Sequence, residues 1–261
     1  NPIKPHTMIT RILVIFLFFN YLMIALSGCK KSDTISNLPS INNANNKAVG
    51  ASANDLLSAA SFTSVKIEIQ YMPGYQPDAA SVNNLTAFLN VLINKPGGVT
   101  VVQTQIASAG KTVYTLNDIA TIEKDNRTVY TTGNQLGVYF LFTDGNYSTA
   151  NVLGLAFRNT SMSILGKTIH DNSGGIGQAS RTKLETTVLE HEFAHILGLV
   201  DIGSTMQTNH KDAAHGNHCN NTNCLMYYAS ETTDILGVLL TGSIPVLDAN
   251  CKADLTANGG K

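Results

Sequence analysis

The run His191-Glu192-Phe193-Ala194-His195 sets two imidazoles four residues apart, with a carboxylate beside the first. On a helix, side chains at i and i+4 share a face, so both rings can point at one ion. Zinc takes borderline-soft nitrogen ligands at about 2.0–2.1 Å, and such a pair supplies two of the protein ligands that a catalytic site uses. Glu192 stands where it can take a proton from a water activated by the ion. Five of the seven histidines, His191, His195, His210, His215 and His218, fall within positions 191–218. A helix with locally satisfied histidines explains the spacing but not this clustering.

The spacing does chemistry only if a helix carries it. Positions 171–180 form a Gly- and Ser-rich loop, and Thr182-x-x-Glu185 matches a capping box that opens a helix. The helix is expected to run through Leu197 and end at Gly198, the residue suited to a left-handed C-terminal turn. Leu189, Phe193 and Ile196 make its apolar stripe.

The longer string His191-Glu192-x-x-His195-x-x-Gly198 resembles the metzincin zinc peptidases. A second block, His218-Cys219-x4-Cys224-Leu225-Met226, is similar to the corresponding archaemetzincin run, displaced here by the insertion Leu199 to Asn217. The resemblance implies an α/β (α+β) metzincin-like fold: a mixed twisted sheet, an active-site helix with a backing helix, and a C-terminal helical subdomain. It implies one catalytic Zn2+ held by His191, His195 and a third ligand after the glycine. His218 is favoured there; Asp201, three residues after Gly198, is the alternative. Met226 would form the apolar floor under the metal, and Tyr228 could turn toward it to bind a developing oxyanion. Val152 to Phe157 resembles the edge strand on which such enzymes lay extended substrate. Archaemetzincins hold a second zinc with further cysteines. Only Cys251 lies downstream here, so a Cys219–Cys224 disulfide is expected instead; His210 and His215 are solvated loop groups or, alternatively, serve a second metal site or substrate contacts. The implied activity is a zinc-dependent endopeptidase acting on protein or peptide, with Glu192 as general base. Two alternatives stand beside it. One is another peptidase clan with Glu231 as third ligand. The other is a non-catalytic envelope lipoprotein, a binding module whose structural or vestigial metal site is closed by His210 or His215.

The rest of the chain reads as scaffold and address. Val65, Ile67 and Ile69 alternate with polar residues as in a strand, while Val82, Leu85, Leu89 and Leu92 recur at helical spacing within 79–93. Further strands are expected over 99–106, 135–142 and 152–157, continuing through 161–169, with a helix over 116–124. Helices within 235–240 and 246–255 close the chain. The 261 residues are 43% hydrophobic, which suffices for a sizeable core, and only 13% charged, about half the usual share. Seventeen basic against 18 acidic residues, with no basic stripe, exclude a nucleic-acid footprint. From Met8, Arg11 and the apolar run from Ile12 to Leu26 follow the signal-peptide pattern. Leu26-Ser27-Gly28-Cys29 resembles the lipobox of bacterial lipoproteins, which implies export, acylation of Cys29 and a membrane partner through that lipid. Lys30 and Lys31 favour the outer membrane. The expected organisation is a leader and signal peptide over 1–28, a flexible tether over 29–58 and a catalytic domain over 59–261, monomeric.

Overall fold

The computed structural model describes residues 37–261; the signal segment and the lipidation expected at Cys29 lie outside the described residues. The elements run α1 Ala53–Leu57, β1 Ser64–Tyr71, α2 Ala79–Leu92, β2 Val99–Gln105, β3 Val113–Tyr114, α3 Leu116–Asn126, β4 Gln135–Phe142, β5 Asn146–Tyr147, β6 Gly154–Arg158, β7 Ser161–Ile164, α4 Gly166–Asp171, α5 Arg181–Ile196, α6 Leu236–Thr241 and α7 Ala249–Ala257. Five strands form one sheet in the order β2-β1-β4-β7-β6. All neighbours pair in parallel except β6, which runs antiparallel to β7 at the sheet edge.

The alternation in β1 does what period two requires. Val65, Ile67 and Ile69 are fully buried in the main core, with Leu85 and Leu89 of α2 and Phe193 of α5. The other sheet face is covered by α3 through a smaller core of Tyr139, Leu141, Ile119 and Met72. That face also buries the Glu123 carboxylate between the guanidinium groups of Arg127 and Arg158. A buried carboxylate is tolerated when paired and hydrogen-bonded, and Ser161 donates to it as well. The 161–169 stretch, expected to stay strand-like, breaks after Ile164 into helix α4.

Residues 37–58 are not a flexible tether. Asn45 is buried and its side-chain amide donates to the Gly137 carbonyl at 2.9 Å and to Thr160 at 2.8 Å. Pro39 accepts from Arg158 at 2.6 Å, and Leu56 and Leu57 sit fully buried in the core. The segment binds through polar side chains that satisfy strand ends, so its Asn-rich composition hides its burial. The domain boundary expected at 59 therefore falls earlier.

The start of α5 also differs. Ser180 is the N-cap, its hydroxyl accepting from the Lys183 N–H at 3.2 Å. Thr182 and Glu185 reach across to α2 instead: Thr182 donates to the Asp78 carboxylate at 3.0 Å, and Glu185 accepts from the Asp78 N–H at 2.6 Å. The capping-box residues fasten α5 to the start of α2.

Candidate metal centre

His191 and His195 emerge from the last two turns of α5, both buried. Just beyond them the chain reverses at Gly198, whose φ is 86°. A Cβ there would lie 2.4 Å from the Ser204 nitrogen and 2.8 Å from the Ala53 side chain, so only glycine fits. The insertion then folds back on itself, with Lys211 bridged to Cys219 and the Asp212 N–H donating to the His218 carbonyl at 2.7 Å. This return brings His218 onto the helix histidines. The ring centroids lie 5.3 Å from His191 and 5.1 Å from His195.

Hydrogen bonds orient two of the rings. His191 Nδ1 donates to the Leu225 carbonyl at 2.7 Å, and His218 Nδ1 donates to the His215 carbonyl at 2.7 Å. A carbonyl only accepts, so each Nδ1 carries the proton and each Nε2 presents a lone pair. The Nε2 atoms of His191 and His195 stand 3.1 Å apart, close to the spacing of two ligands on one zinc, about 3.3 Å at tetrahedral angles. His218 Nε2 is buried without a hydrogen-bond partner. Burial lowers the His191 imidazole to about 4, leaving it in the neutral form that ligates metal. For His218, burial acts downward, but the Glu231 carboxylate and the His215 carbonyl outweigh it and the net direction is upward. Three converging nitrogens, one of them orphaned, fit a divalent zinc.

Glu192 lies fully buried, with neither carboxylate oxygen hydrogen-bonded. Burial first, and the Glu231 charge second, push its carboxyl well above the usual carboxylate range. Its room comes from Gly154 at the start of β6. A Cβ on Gly154 would stand 2.8 Å from Glu192 Oε1 and 2.5 Å from Val188 Cγ1. The need for Gly154 was not legible in the sequence, because it depends on a contact between two distant segments.

Glu231, expected only as the third ligand of another peptidase clan, completes the arrangement beside His218. Its Oε2 lies 3.6 Å from His191 Nε2 and 3.7 Å from His195 Nε2, and its Oε1 lies 3.5 Å from His218 Nε2. A cleft of about 550 Å3 opens beside it, bordered by Leu155 and Ala156 of β6 and by His195, His218 and Glu231. The remaining expected residues fall as follows. Met226 is fully buried in the core directly after Leu225. Tyr228 is half-buried, its ring stacked at 3.7 Å on that of His215, which borders the cleft. Asp201 is exposed with φ 63° and stands outside the four-residue group.

The cysteines overturn the expected Cys219–Cys224 disulfide: Cys219, Cys224 and Cys251 are all free. Cys219 and Cys251 are gathered with His210 and Asp248 into a second cluster, and Cys224 packs against Cys251 at its border. His210 Nδ1 stands 3.3 Å from Cys219 Sγ and 3.9 Å from Cys251 Sγ, and Cys224 Sγ stands 3.6 Å from Cys251 Sγ. Tetrahedral zinc with thiolates at about 2.3 Å separates its ligand atoms by about 3.5–3.8 Å. The N–H groups of Met226 and Asp248 both approach Cys224 Sγ at 3.4 Å, and a hydrogen bond from Cys251 lowers that thiol. Asp254 bonds the far nitrogen of His210 at 2.8 Å, as carboxylates do behind metal-bound histidines. His210 is thus no solvated loop group. His215 is exposed and is paired with Asp212 at 2.6 Å.

Fold and site together define a mixed α/β protein with a mostly parallel sheet and a histidine-lined candidate metal centre. No protein-family profile matches the chain, and no curated protein does. Among solved structures, the archaemetzincin of Methanopyrus kandleri is similar over 75% of this chain and 96% of its own, at 16% identity and a TM-score of 0.48. Metalloproteinase-II of Bacteroides fragilis is similar over 86% of this chain and 59% of its own, at 15% identity and a TM-score of 0.42. Likeness of this degree carries no argument about chemistry, which rests on the side chains above.

Proposed function

We propose that this protein is a zinc-dependent endopeptidase with His191, His195 and His218 as the metal ligands. The observation that carries the reading is the convergence of three buried imidazole nitrogens beside a buried, unbonded Glu192. Zinc bound there supplies Lewis acidity, making a water nucleophilic near neutral pH and polarising the scissile carbonyl. Glu192 accepts the proton of that water and returns it to the leaving amine. Its burial suits the task, since a carboxylate without fixed partners is free to take a proton. The outer edge of β6, the last strand of the sheet, is where an extended peptide would add by backbone pairing, which supports a peptide substrate. In this reading Tyr228, stacked on the cleft residue His215, turns toward the developing oxyanion once its ring leaves His215.

The proposal includes a second, structural ion held by His210, Cys219, Asp248 and Cys251. Anchoring through a lipid at Cys29 in the outer membrane belongs to the same proposal; intact-mass measurement of the membrane-extracted protein checks it. The Glu192→Gln variant tests the activity on a casein or peptide-library substrate. Retained zinc with turnover reduced by about a thousandfold supports the base role; wild-type-like turnover rejects it. A non-catalytic binding module is favoured by one observation only, the Glu231 carboxylate at the fourth position. Zinc-loaded wild type without turnover on any peptide would select that reading.

A further inference from the structure

Catalytic zinc sites keep a position open for water, and structural sites do not. Here that position faces Glu231. Tetrahedral ligands at about 2.0–2.2 Å lie about 3.3–3.5 Å from one another. The two Glu231 oxygens stand 3.5, 3.6 and 3.7 Å from the three imidazole nitrogens, so the carboxylate straddles the fourth position at nearly ligand spacing. Unlike Glu192, it is reachable: its side chain is 28% exposed, on the border of the cleft.

We propose that Glu231 is the fourth protein ligand of the resting centre and must swing off before a water or a substrate carbonyl can bind. The inference rests on the peptidase reading above. The exchange is simple in its balance, with one carboxylate oxygen leaving the metal and one water oxygen taking its place. The carrier of Glu231 is suited to it. Tyr228–Glu231 is a single 3-10 turn, followed by the extended residue Thr232. Its far end is tied to the entrance of the edge strand. The Glu231 carbonyl accepts from the Leu153 N–H at 2.8 Å, Thr232 bridges to Val152, and the Thr233 N–H donates to the Asn151 carbonyl at 2.9 Å. A peptide that extends the sheet along β6, where Leu155 and Ala156 line the cleft, runs into this tie. Docking of substrate and withdrawal of the carboxylate are then one event, and the free enzyme is latent.

The test is binding rather than turnover, on the full zinc-loaded chain and its Glu231→Gln variant. Zinc affinity is read by chelator competition, and access to the fourth position by titration with acetohydroxamate. Loss of a ligand is expected to weaken zinc by at least about tenfold, while acetohydroxamate binds the variant at least about tenfold more tightly than wild type. Equal zinc affinity and equal acetohydroxamate binding in both proteins overturn the proposal, as does weaker acetohydroxamate binding in the variant. Should the variant not fold, azide titration of cobalt-loaded wild type decides. An unchanged visible spectrum supports the closed site, and a spectrum altered by azide rejects it. Neither readout needs peptide hydrolysis, so the failure of closure and the failure of the peptidase reading, tested through Glu192→Gln, remain distinguishable.

Discussion

His218 and Cys219 are neighbours in sequence, yet they enter different clusters. The first joins His191, His195 and Glu231 at the mouth of a cleft; the second joins His210, Asp248 and Cys251 in a closed interior. The difference lies in donors and access. Soft thiolates without a cleft suit an ion that holds chain segments together. Nitrogen donors beside a free carboxylate suit an ion that does chemistry. The insertion 199–217 serves both, since it carries His210 into one cluster and returns the chain so that His218 reaches the other.

The sharpest break of this contrast is a pair of substitutions. His218→Ala should lose the catalytic ion and essentially all turnover while keeping the thiolate-bound ion. His210→Ala should lose the thiolate-bound ion and destabilise the fold, because binding energy at a structural site is folding energy. Metal stoichiometry, with cobalt substitution to mark the thiolate site, separates the two. Loss of both ions in either variant would mean that the clusters are one cooperative unit. Next in size, Gly154→Ala should leave metal content intact but reduce turnover by about a hundredfold, because the added methyl displaces Glu192. Asp254→Asn should weaken the second ion by about ten- to a hundredfold and leave peptide hydrolysis near wild type.

The smallest expected effect lies on α5 itself. Glu190 is 7% exposed, and burial pushes its carboxyl up to about 8, far above the ordinary carboxylate range. The folded state therefore holds this proton over a range where the unfolded state has lost it. The stability so contributed is complete below about pH 4.5 and is lost as pH rises through about 8. Glu190→Gln should raise Tm by several degrees at pH 8–9, at ~2–4 °C per kcal/mol, and leave it unchanged near pH 4.5. An equal Tm shift at both pH values would rule out titration as the cause.

Much of this architecture was legible in the residues. The alternation of Val65, Ile67 and Ile69 and the spacing of Val82, Leu85, Leu89 and Leu92 mark β1 and α2 because burial repeats with the local period. The cap of α5 was misread for a physical reason. Thr182 and Glu185 have the right types for self-capping, but Asp78 of a distant segment uses both. The Asn-rich stretch before α1 offered no apolar signal, since amide hydrogen bonds hold much of it.

What the sequence determined by itself is the local part of the site: two imidazoles and a carboxylate on one helix, and a glycine that reverses the chain. Those follow from a 3.6-residue period and from one residue's freedom at positive φ, neither of which needs a partner. Tertiary structure alone decided the rest. The convergence of His210 with Cys251, of Gly154 with Glu192, and of Glu231 with three imidazoles joins residues that chain spacing does not relate. Only the packing of the insertion and of the edge strand against α5 brings them within reach.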